Sequence, residues 1–453
     1  MARPERVLGL FVVSATWLVL CAAAQATDPA GVMTLKDSID TALKRNVIVH
    51  SAREGVRASE ARKNEALTGF LPRFSTSYSY ARLNEPPSVK LPITGYQPVE
   101  TGTEDNYNWF VELKQPLFAG GRILSAYQAS KIGLDISRTE EISTVQNIIL
   151  ETTVAYFNIL RAEKLLEVAK QSVEQRTAQR DLAKEYFDVG LIPKNDLLTA
   201  EVELANGTQL LIRAENGLEI ARAKFNTLLR RDINESVTVE DILKYEPYGR
   251  TMEECFRIAA GQRPEIRNST LKVEQAGKQV DLAASEFYPA LNLSGKYGRF
   301  GDEADLSGSL YQDSENWSVL AVASWDFWEW GRTKYNRDYY RSRQQQARDA
   351  LTDVKDQVAL DVKNAYLVMK EAEKRIHVAG KSIEQADENL RIYQERYRAQ
   401  VSTSKDVLDA QTLLVRARAD YYDALSEYRI AMARLERSMG VIDARGEEKA
   451  PSK

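Results

Sequence analysis

Between residues 332 and 440 the chain contains no proline, and apolar side chains recur there at alternating steps of four and three. The row reads Val358, Val362, Ala365, Met369, Ala372, Ile376, Ala379, Ile383, Ala386, Leu390, Tyr393 and Tyr397. After Val401-Ser402-Thr403-Ser404 a second row begins: Val407, Ala410, Leu414, Ala417, Tyr421, Ala424, Tyr428, Ala431 and Leu435. A seven-residue spacing split four and three lays one stripe along a supercoiled α-helix. Two such helices joined by a short turn fold back as an antiparallel hairpin. At ~1.5 Å per residue the stretch 332–400 alone spans roughly 100 Å, more than an ordinary globular domain can house.

The plan is doubled. Phe70-Leu71-Pro72, Gly121-Arg122, Ala155-Tyr156 and Asp196-Leu197-Leu198 reappear roughly 210 residues later as Phe287-Tyr288-Pro289, Gly331-Arg332, Ala365-Tyr366 and Asp406-Val407-Leu408. The stripe transfers as well: Ile148, Ala155, Ile159, Ala162, Leu166, Ala169 and Val173, then Leu197, Ala200, Leu204, Leu211, Ala214, Leu218, Ala221 and Phe225. Arg176 and Arg180 interrupt the first copy where Ala386 and Leu390 stand in the second, so the hairpins are related without being equivalent. The first repeat is set at 27–240, with short helices over 34–70, broken near Asn46, and long helices over 121–188 and 194–230. The second is set at 241–440, with short helices over 251–286 and long ones over 332–400 and 403–439, before a polar tail at 441–453.

Each repeat also holds a pair of period-two segments, the mark of strands. In 73–84, Phe74, Thr76, Tyr78 and Tyr80 alternate with Ser75, Ser77 and Ser79; in 105–117, Tyr107, Trp109, Val111 and Leu113 alternate with Asn108, Glu112 and Lys114. The proline-rich stretch 85–104 between them reads as a long loop. In 290–301, Leu291, Leu293 and Tyr297 oppose Asn292, Ser294 and Lys296. In 315–328, Trp317, Val319, Ala321, Ala323, Trp325 and Phe327 oppose Ser318, Ser324 and Asp326, with Leu320 and Val322 blurring the polar face. Strands of about ten residues suffice to cross a bilayer at a tilt, and Tyr107, Trp109, Trp317, Trp325, Trp328 and Trp330 resemble an interfacial aromatic girdle. A soluble sandwich is the rival, but the strand pair sits between short and very long helices in both repeats, which favours the membrane. Four strands cannot close a barrel, and open edges are not tolerated in lipid. Several chains must therefore each donate four strands; a dimer would give eight and a trimer twelve, and strand counting leaves that choice open.

The 453 residues are 28% charged with a formal net charge of −4, a balance that argues against nucleic acid as the partner. The N-terminus reads as a signal peptide over 1–26: Arg3 and Arg6, an apolar run from Val7 to Cys21, and the cleavage pattern Ala24-Gln25-Ala26. Leu20 is large for the residue before a lipidated cysteine, which weighs against lipidation of Cys21 without settling it. That leaves Cys255 as a buried thiol. His50 and His377 are far apart, so no histidine-rich metal site forms; His377 falls between stripe positions, on a solvated helix face. Gly380-Lys381-Ser382 lies mid-helix and lacks the first glycine of a phosphate loop. No catalytic constellation and no call for a cofactor emerge; the chain does not read as an enzyme.

Pro116-Leu117-Phe118-Ala119-Gly120-Gly121-Arg122, Arg263-Pro264-Glu265-Ile266, the Phe-Leu-Pro and Phe-Tyr-Pro pair, and Lys405-Asp406-Val407-Leu408-Asp409-Ala410 occur in an order that resembles the TolC-like outer-membrane efflux proteins, over nearly the whole mature chain. The resemblance implies a mainly α protein with a membrane β part: a homotrimer whose twelve-stranded outer-membrane barrel continues as a periplasmic α-helical tunnel. It further implies a belt around the tunnel, for which 232–250 and the C-terminal tail are candidates. One departure is Arg230, which stands where the second repeat has Gly440. The implied partners are outer-membrane lipid, a periplasmic adaptor and an inner-membrane pump of RND, ABC or MFS type, the chain being a passive efflux or secretion duct. By the same resemblance Asp406 and Asp409 would ring the periplasmic aperture; the other reading of Asp406 is a helix cap. Gly190, Leu191, Ile192 and Pro193, with Gln400, Val401, Ser402 and Thr403, would be the adaptor-docking tips. Opening would break subunit contacts around Tyr186, Asp188, Arg396 and Tyr397. A periplasmic coiled-coil adaptor or poreless structural protein is the alternative, against which the doubled strand pair argues.

Overall fold

A computed structural model describes residues 32–442; the signal peptide, Cys21 and the tail from 443 onward lie outside the described residues. The first repeat runs α1 (Leu35–Arg45), α2 (Val47–Thr68), β1 (Arg73–Arg82), β2 (Ser88–Lys90), β3 (Pro98–Glu100), β4 (Asp105–Ala119), α3 (Arg122–Asp188) and α4 (Lys194–Leu229). The second runs α5 (Met252–Gln262), α6 (Pro264–Ala284), β5 (Ala290–Gly301), β6 (Glu315–Ser324), α7 (Arg332–Arg398) and α8 (Ser404–Met439). Helices α3 and α7 are each 67 residues long, and α4 and α8 each 36. The two copies thus differ in side chains, not in length.

The stripe explains the packing. α7 lies along α8 and α3 along α4, and the α3–α8 contact joins the two hairpins; toward the strands α2 and α6 take the places of α4 and α8. Val358, Val362, Met369, Ala372 and Ile376 are buried against Ala424, Tyr428, Ala431 and Leu435 in one core with Ile148, Tyr156, Ile159 and Phe225. Cys255 lies in it too, at 0% exposure. His377 is exposed, its ring edge-on to Tyr245 at 5.4 Å. The segment from 232 to 250 crosses this waist as neither helix nor strand, opening on a turn at 232–235. Tyr156 donates to the carbonyls of Met33 and Glu240, Tyr245 to Glu373 Oε1, and Tyr428 to the carbonyl of Glu246.

Where each returning helix ends, α1 meets α2 and α5 meets α6. Asn46 caps α2 by accepting from Ile48 N–H at 2.8 Å and donates to the Leu228 carbonyl. In the second repeat Arg263 does the equivalent, donating to the Arg437 carbonyl at 2.9 Å. Arg263-Pro264-Glu265 then builds an ion-paired knot. Glu265 lies 2.7 Å from Arg263 and 2.6 Å from Arg437, which also donates to Asn147 and Ser143 on α3. Gly440 ends α8 at φ +76°, where a Cβ would lie 2.7 Å from the Gln262 carbonyl oxygen. Arg230 adopts the same left-handed conformation at φ +56°, so the departure noted in the sequence changes the side chain and not the helix end.

The strands form one antiparallel sheet in the order β1-β4-β5-β6. Its register aligns Tyr78 with Trp109, Val111 with Tyr297, and Tyr297 with Trp317. All four alternating sets therefore share faces: Phe74, Tyr78, Tyr80, Tyr107, Trp109, Leu113, Leu293, Tyr297, Trp317 and Val319 on one side; Ser75, Ser77, Ser79, Asn108, Glu112, Lys114, Ser294 and Lys296 on the other. β1 and β6 are edges, exposed along their whole length. Three expectations need correction. β6 stops at Ser324, so Trp325 and Phe327 leave the ladder as the chain bends toward α7. β4 extends to Ala119 by way of a register shift between Pro116 and Phe118. The loop 85–104 contains the small β2–β3 hairpin, with Val89 opposite Val99.

Candidate functional site

The geometry offers two working surfaces: the sheet, and the turns at the far end of the hairpins. Among the aromatics expected at the membrane interface, Trp317, Trp325, Trp328 and Trp330 are exposed, the last at 84%. Trp328 and Trp330 meet edge-on at 5.6 Å, and the Trp325 indole N–H donates to the Phe287 carbonyl. Tyr107 and Trp109 are half-buried, packed on Tyr80 at 4.6 Å and Tyr297 at 6.2 Å. Indole and phenol rings with one wet and one apolar end suit a headgroup layer. Among the described residues no helix is long and apolar enough to span a membrane, and no group of three or more His, Cys, Asp or Glu could hold a metal ion.

At the other end, Gly190 and Gln400 turn the chain with φ +78° and +63°. Leu191 and Val401 stand out at 57% and 63% exposure, beside Gly190, Pro193 and Gln400. Ile192 differs from its neighbours: it packs on Ala183, Ala200 and Leu408. Ser402 Oγ faces inward toward the Tyr393 carbonyl. Both are partly buried, with side chains engaged in packing the turns. Thr403 is the N-cap of α8, accepting from Asp406 N–H while Asp406 Oδ2 accepts from Thr403 N–H and Oγ1–H, both at 2.8 Å. This reciprocal capping box settles one role of Asp406 and, through the Thr403 backbone and hydroxyl donors, holds its carboxyl below the usual carboxylate range. Asp409 is exposed, and its carboxylate makes no ion pair or hydrogen bond among the described residues. Asp196, in the first copy, starts its helix behind Pro193 with no side-chain cap.

Between the hairpins the seam near the tip buries Leu408 of α8 with Ala183 and Ala200 and is otherwise largely polar. Gln179 donates to Ser404 Oγ at 3.2 Å, Gln411 to the Gln175 carbonyl at 3.4 Å, and Arg418 to Gln171 at 2.6 Å. Tyr186 and Tyr397 pair within the chain at 5.6 Å, with Tyr397 only 4% exposed. Arg396 lies over the Tyr393 ring of its own helix. The interrupting Arg176 is the residue that sequence periodicity misjudged. It is buried, donates to the Glu203 carbonyl and carboxylate on α4 at 2.6 and 2.9 Å, and reaches Thr412 on α8. Gly207 leaves room for it, since a Cβ there would lie 2.9 Å from Arg176 Cδ. The second copy fills the equivalent space with Ala386, Leu413 and Ala417. Arg176→Ala alone should cost about 2 kcal/mol, less than for a fully buried pair because the partner left behind, Glu203, is 30% exposed. Adding Glu203→Leu and Gly207→Ala should recover most of it, which chemical unfolding midpoints would measure; an unchanged midpoint for Arg176→Ala would refute the bridge.

An open sheet with one lipid-ready face and two bare edges, continued by helical hairpins about 100 Å long, defines one subunit of an oligomeric outer-membrane channel. The family model for outer membrane efflux proteins matches residues 38–229 and 256–441, one match per repeat. The chain belongs to that family. It is similar to the alkaline protease secretion protein AprF of Pseudomonas aeruginosa, 22% identical over 432 residues, 94% of this chain and 89% of that one. It is also similar to outer membrane protein TolC of Escherichia coli, 21% identical over 401 residues, 84% of this chain and 76% of that one. The fold matches the outer membrane protein VceC of Vibrio cholerae with a TM-score of 0.78 at 18% identity, covering 90% of this chain and 96% of that one. The Campylobacter jejuni CmeC outer membrane channel gives a TM-score of 0.78 at 19% identity, with coverage of 97% and 96%. Three chains, each with four strands, resolve the open count in favour of a twelve-stranded barrel. The protein is a passive outer-membrane duct with a long periplasmic tunnel, working as a homotrimer with periplasmic adaptors and inner-membrane pumps in efflux or secretion. The adaptor alternative is set aside.

Proposed function

We propose that the duct opens and closes at its periplasmic tip, with Asp409 as the charge that narrows the closed aperture and the turns as the adaptor's seat. One contrast carries this reading. Within a hairpin, α7 and α8 are held by continuous apolar packing of Leu390, Tyr397, Val407, Ala410 and Leu414, whereas the α3–α8 seam near the tip combines amide, hydroxyl and guanidinium groups with only a small apolar cluster of Leu408, Ala183 and Ala200. Water can replace such hydrogen bonds at little net cost, roughly 1 kcal/mol each, but not an apolar stripe. The α7–α8 hairpin can therefore swing as a unit without melting. Gly190, Leu191, Pro193, Gln400 and Val401 give an adaptor an exposed, partly apolar seat. No step of transport is catalysed here; the energy comes from the pump, and the pump selects the cargo.

Asp406 and Asp409 separate in this scheme. The Asp406 carboxylate is engaged in its capping box, while that of Asp409 is free to face its counterparts in a trimer. In planar bilayers Asp409→Asn should weaken hexamminecobalt block by about tenfold. Asp406→Asn should chiefly lower the thermal stability of the tip by about 1 kcal/mol. Hexamminecobalt block that is identical in Asp409→Asn and the parent chain would remove Asp409 from the aperture.

A further inference from the structure

We infer that Arg73, Lys114 and Lys296 form a basic collar in the barrel lumen, at the end nearer the tunnel, that favours anionic cargo. The inference rests on the membrane reading above, in which the polar face of the sheet is the lumen face. The register places Arg73 directly opposite Lys114, and Glu112 directly opposite both Ser75 and Lys296, in two successive inward-facing rows. Cations facing each other across an antiparallel pair destabilise it, so the Arg73–Lys114 pairing breaks a local rule. Rule-breaking positions in an otherwise consistent sheet point to function.

The charges do not cancel. The Glu112 carboxylate lies 3.0 Å from Lys114 Nζ and answers that one cation. Lys296 lies instead over the Phe110 ring, 4.0 Å from its centroid. Arg73 has no ion pair among the described residues, and all three cations are exposed. Three cations against one carboxylate leave an excess of two per chain. The other inward positions of the sheet are all uncharged: serines and asparagines, small or cyclic residues such as Ala81, Gly298 and Pro116, and the apolar Phe110, Phe300, Leu320 and Val322. Beyond the far end of the sheet the loops are acidic, with Glu85, Glu100, Glu104, Asp302, Glu303, Asp305 and Asp313.

The collar is thus a positive station between an acidic outer mouth and an acidic tip. A lumen walled by protein and lipid focuses such a field. The screening length of ~10 Å at 0.1 M salt is comparable with the radius expected of a barrel of this strand number. Guanidinium and ammonium groups together suit carboxylates and phosphates.

Tripolyphosphate added from the barrel side of reconstituted trimers reaches the collar without passing the tip. It should block the parent channel, and block should weaken about tenfold in the Arg73→Gln, Lys114→Gln, Lys296→Gln variant. Lys296→Gln alone should show a smaller weakening, which keeps the test available if the triple variant does not assemble. In parallel, Lys296→Cys and Tyr297→Cys are exposed to a charged thiol reagent in intact outer membranes, where Cys255 is buried. Labelling at Lys296→Cys but not Tyr297→Cys, with block unchanged in the glutamine variants, would overturn the collar and leave the lumen reading standing. The reverse labelling pattern would show that the polar face is not the lumen face, and the collar would fall with it.

Discussion

Gly120→Ala is expected to cost on the order of 4 kcal/mol and to abolish the heat-resistant trimer on gels. Gly120 sits where β4 turns into α3, at φ +59°, and a Cβ there would lie 2.3 Å from the Ser285 carbonyl oxygen and 3.0 Å from Tyr288 Cβ. The first contact is with backbone, so no rotamer change relieves it. Two costs therefore combine: the left-handed conformation and the displacement of the 285–288 turn, which leads from α6 into β5. The other repeat supplies the control. Trp330 occupies the position equivalent to Gly120 with φ +53°, so the conformation itself is affordable to an L-residue; the collision is what is specific to Gly120. Trp330→Gly should consequently assemble normally and lose only the edge-on contact with Trp328. A Gly120→Ala trimer that forms in parental yield, with a Tm within about a degree of the parent, would show that the turn can move aside.

That pair of positions also shows what a sequence can and cannot disclose. The four helical stretches were legible because hairpin packing repeats every seven residues, so the stripe states the partner face locally. The strand faces were legible for the same reason, with period two, and register merely stacked four alternating sets onto one side. What escaped is non-local. Arg176 reads as a break in the stripe because its partners, Glu203 and Thr412, lie on two other helices. The knot of Arg263, Glu265 and Arg437 brings the start of α6 to the end of α8, a contact that no window along the chain contains. The β2–β3 hairpin escaped because strands of three residues, one beginning with Pro98, show too little alternation to rise above the prolines around them. At the tip the exposed residues were legible as turn residues, but Ile192 and Ser402 face inward for reasons of packing. Asp406 shows how one residue type serves two readings: a carboxylate at the third helical position is both a capping partner and a charge, and only geometry says which bond it makes.

The knot carries the second large effect. Glu265→Ala leaves Arg263 and Arg437, 11% and 9% exposed, without the carboxylate that both ion pairs share. Breaking a buried pair costs about 3–5 kcal/mol, but a third of the Glu265 side chain meets solvent and Arg263 keeps Asp361 at 3.3 Å, so a loss of about 2 kcal/mol is expected. Because Arg437 also holds Asn147 and Ser143 on α3, the weakening should spread across the waist rather than stay at α6, and hydrogen exchange should quicken at 143–147 as well as 264–268. Acid should imitate the substitution in a defined window. Burial works against the charge on Glu265, but the hydrogen bond and charge of Arg437, with the charge of Arg263, outweigh it and hold the carboxyl below its ordinary value of 4.5. A depressed carboxylate contributes its full stability above its unfolded value and loses it as pH falls through the folded one. The parent trimer should therefore lose stability steadily below about pH 4.5. Glu265→Gln, which keeps a hydrogen-bond acceptor and has no proton to take up, should start lower and fall less steeply. Parallel pH profiles for the two proteins would mean that the knot contributes nothing to acid sensitivity, and that the acid-labile carboxylates lie elsewhere.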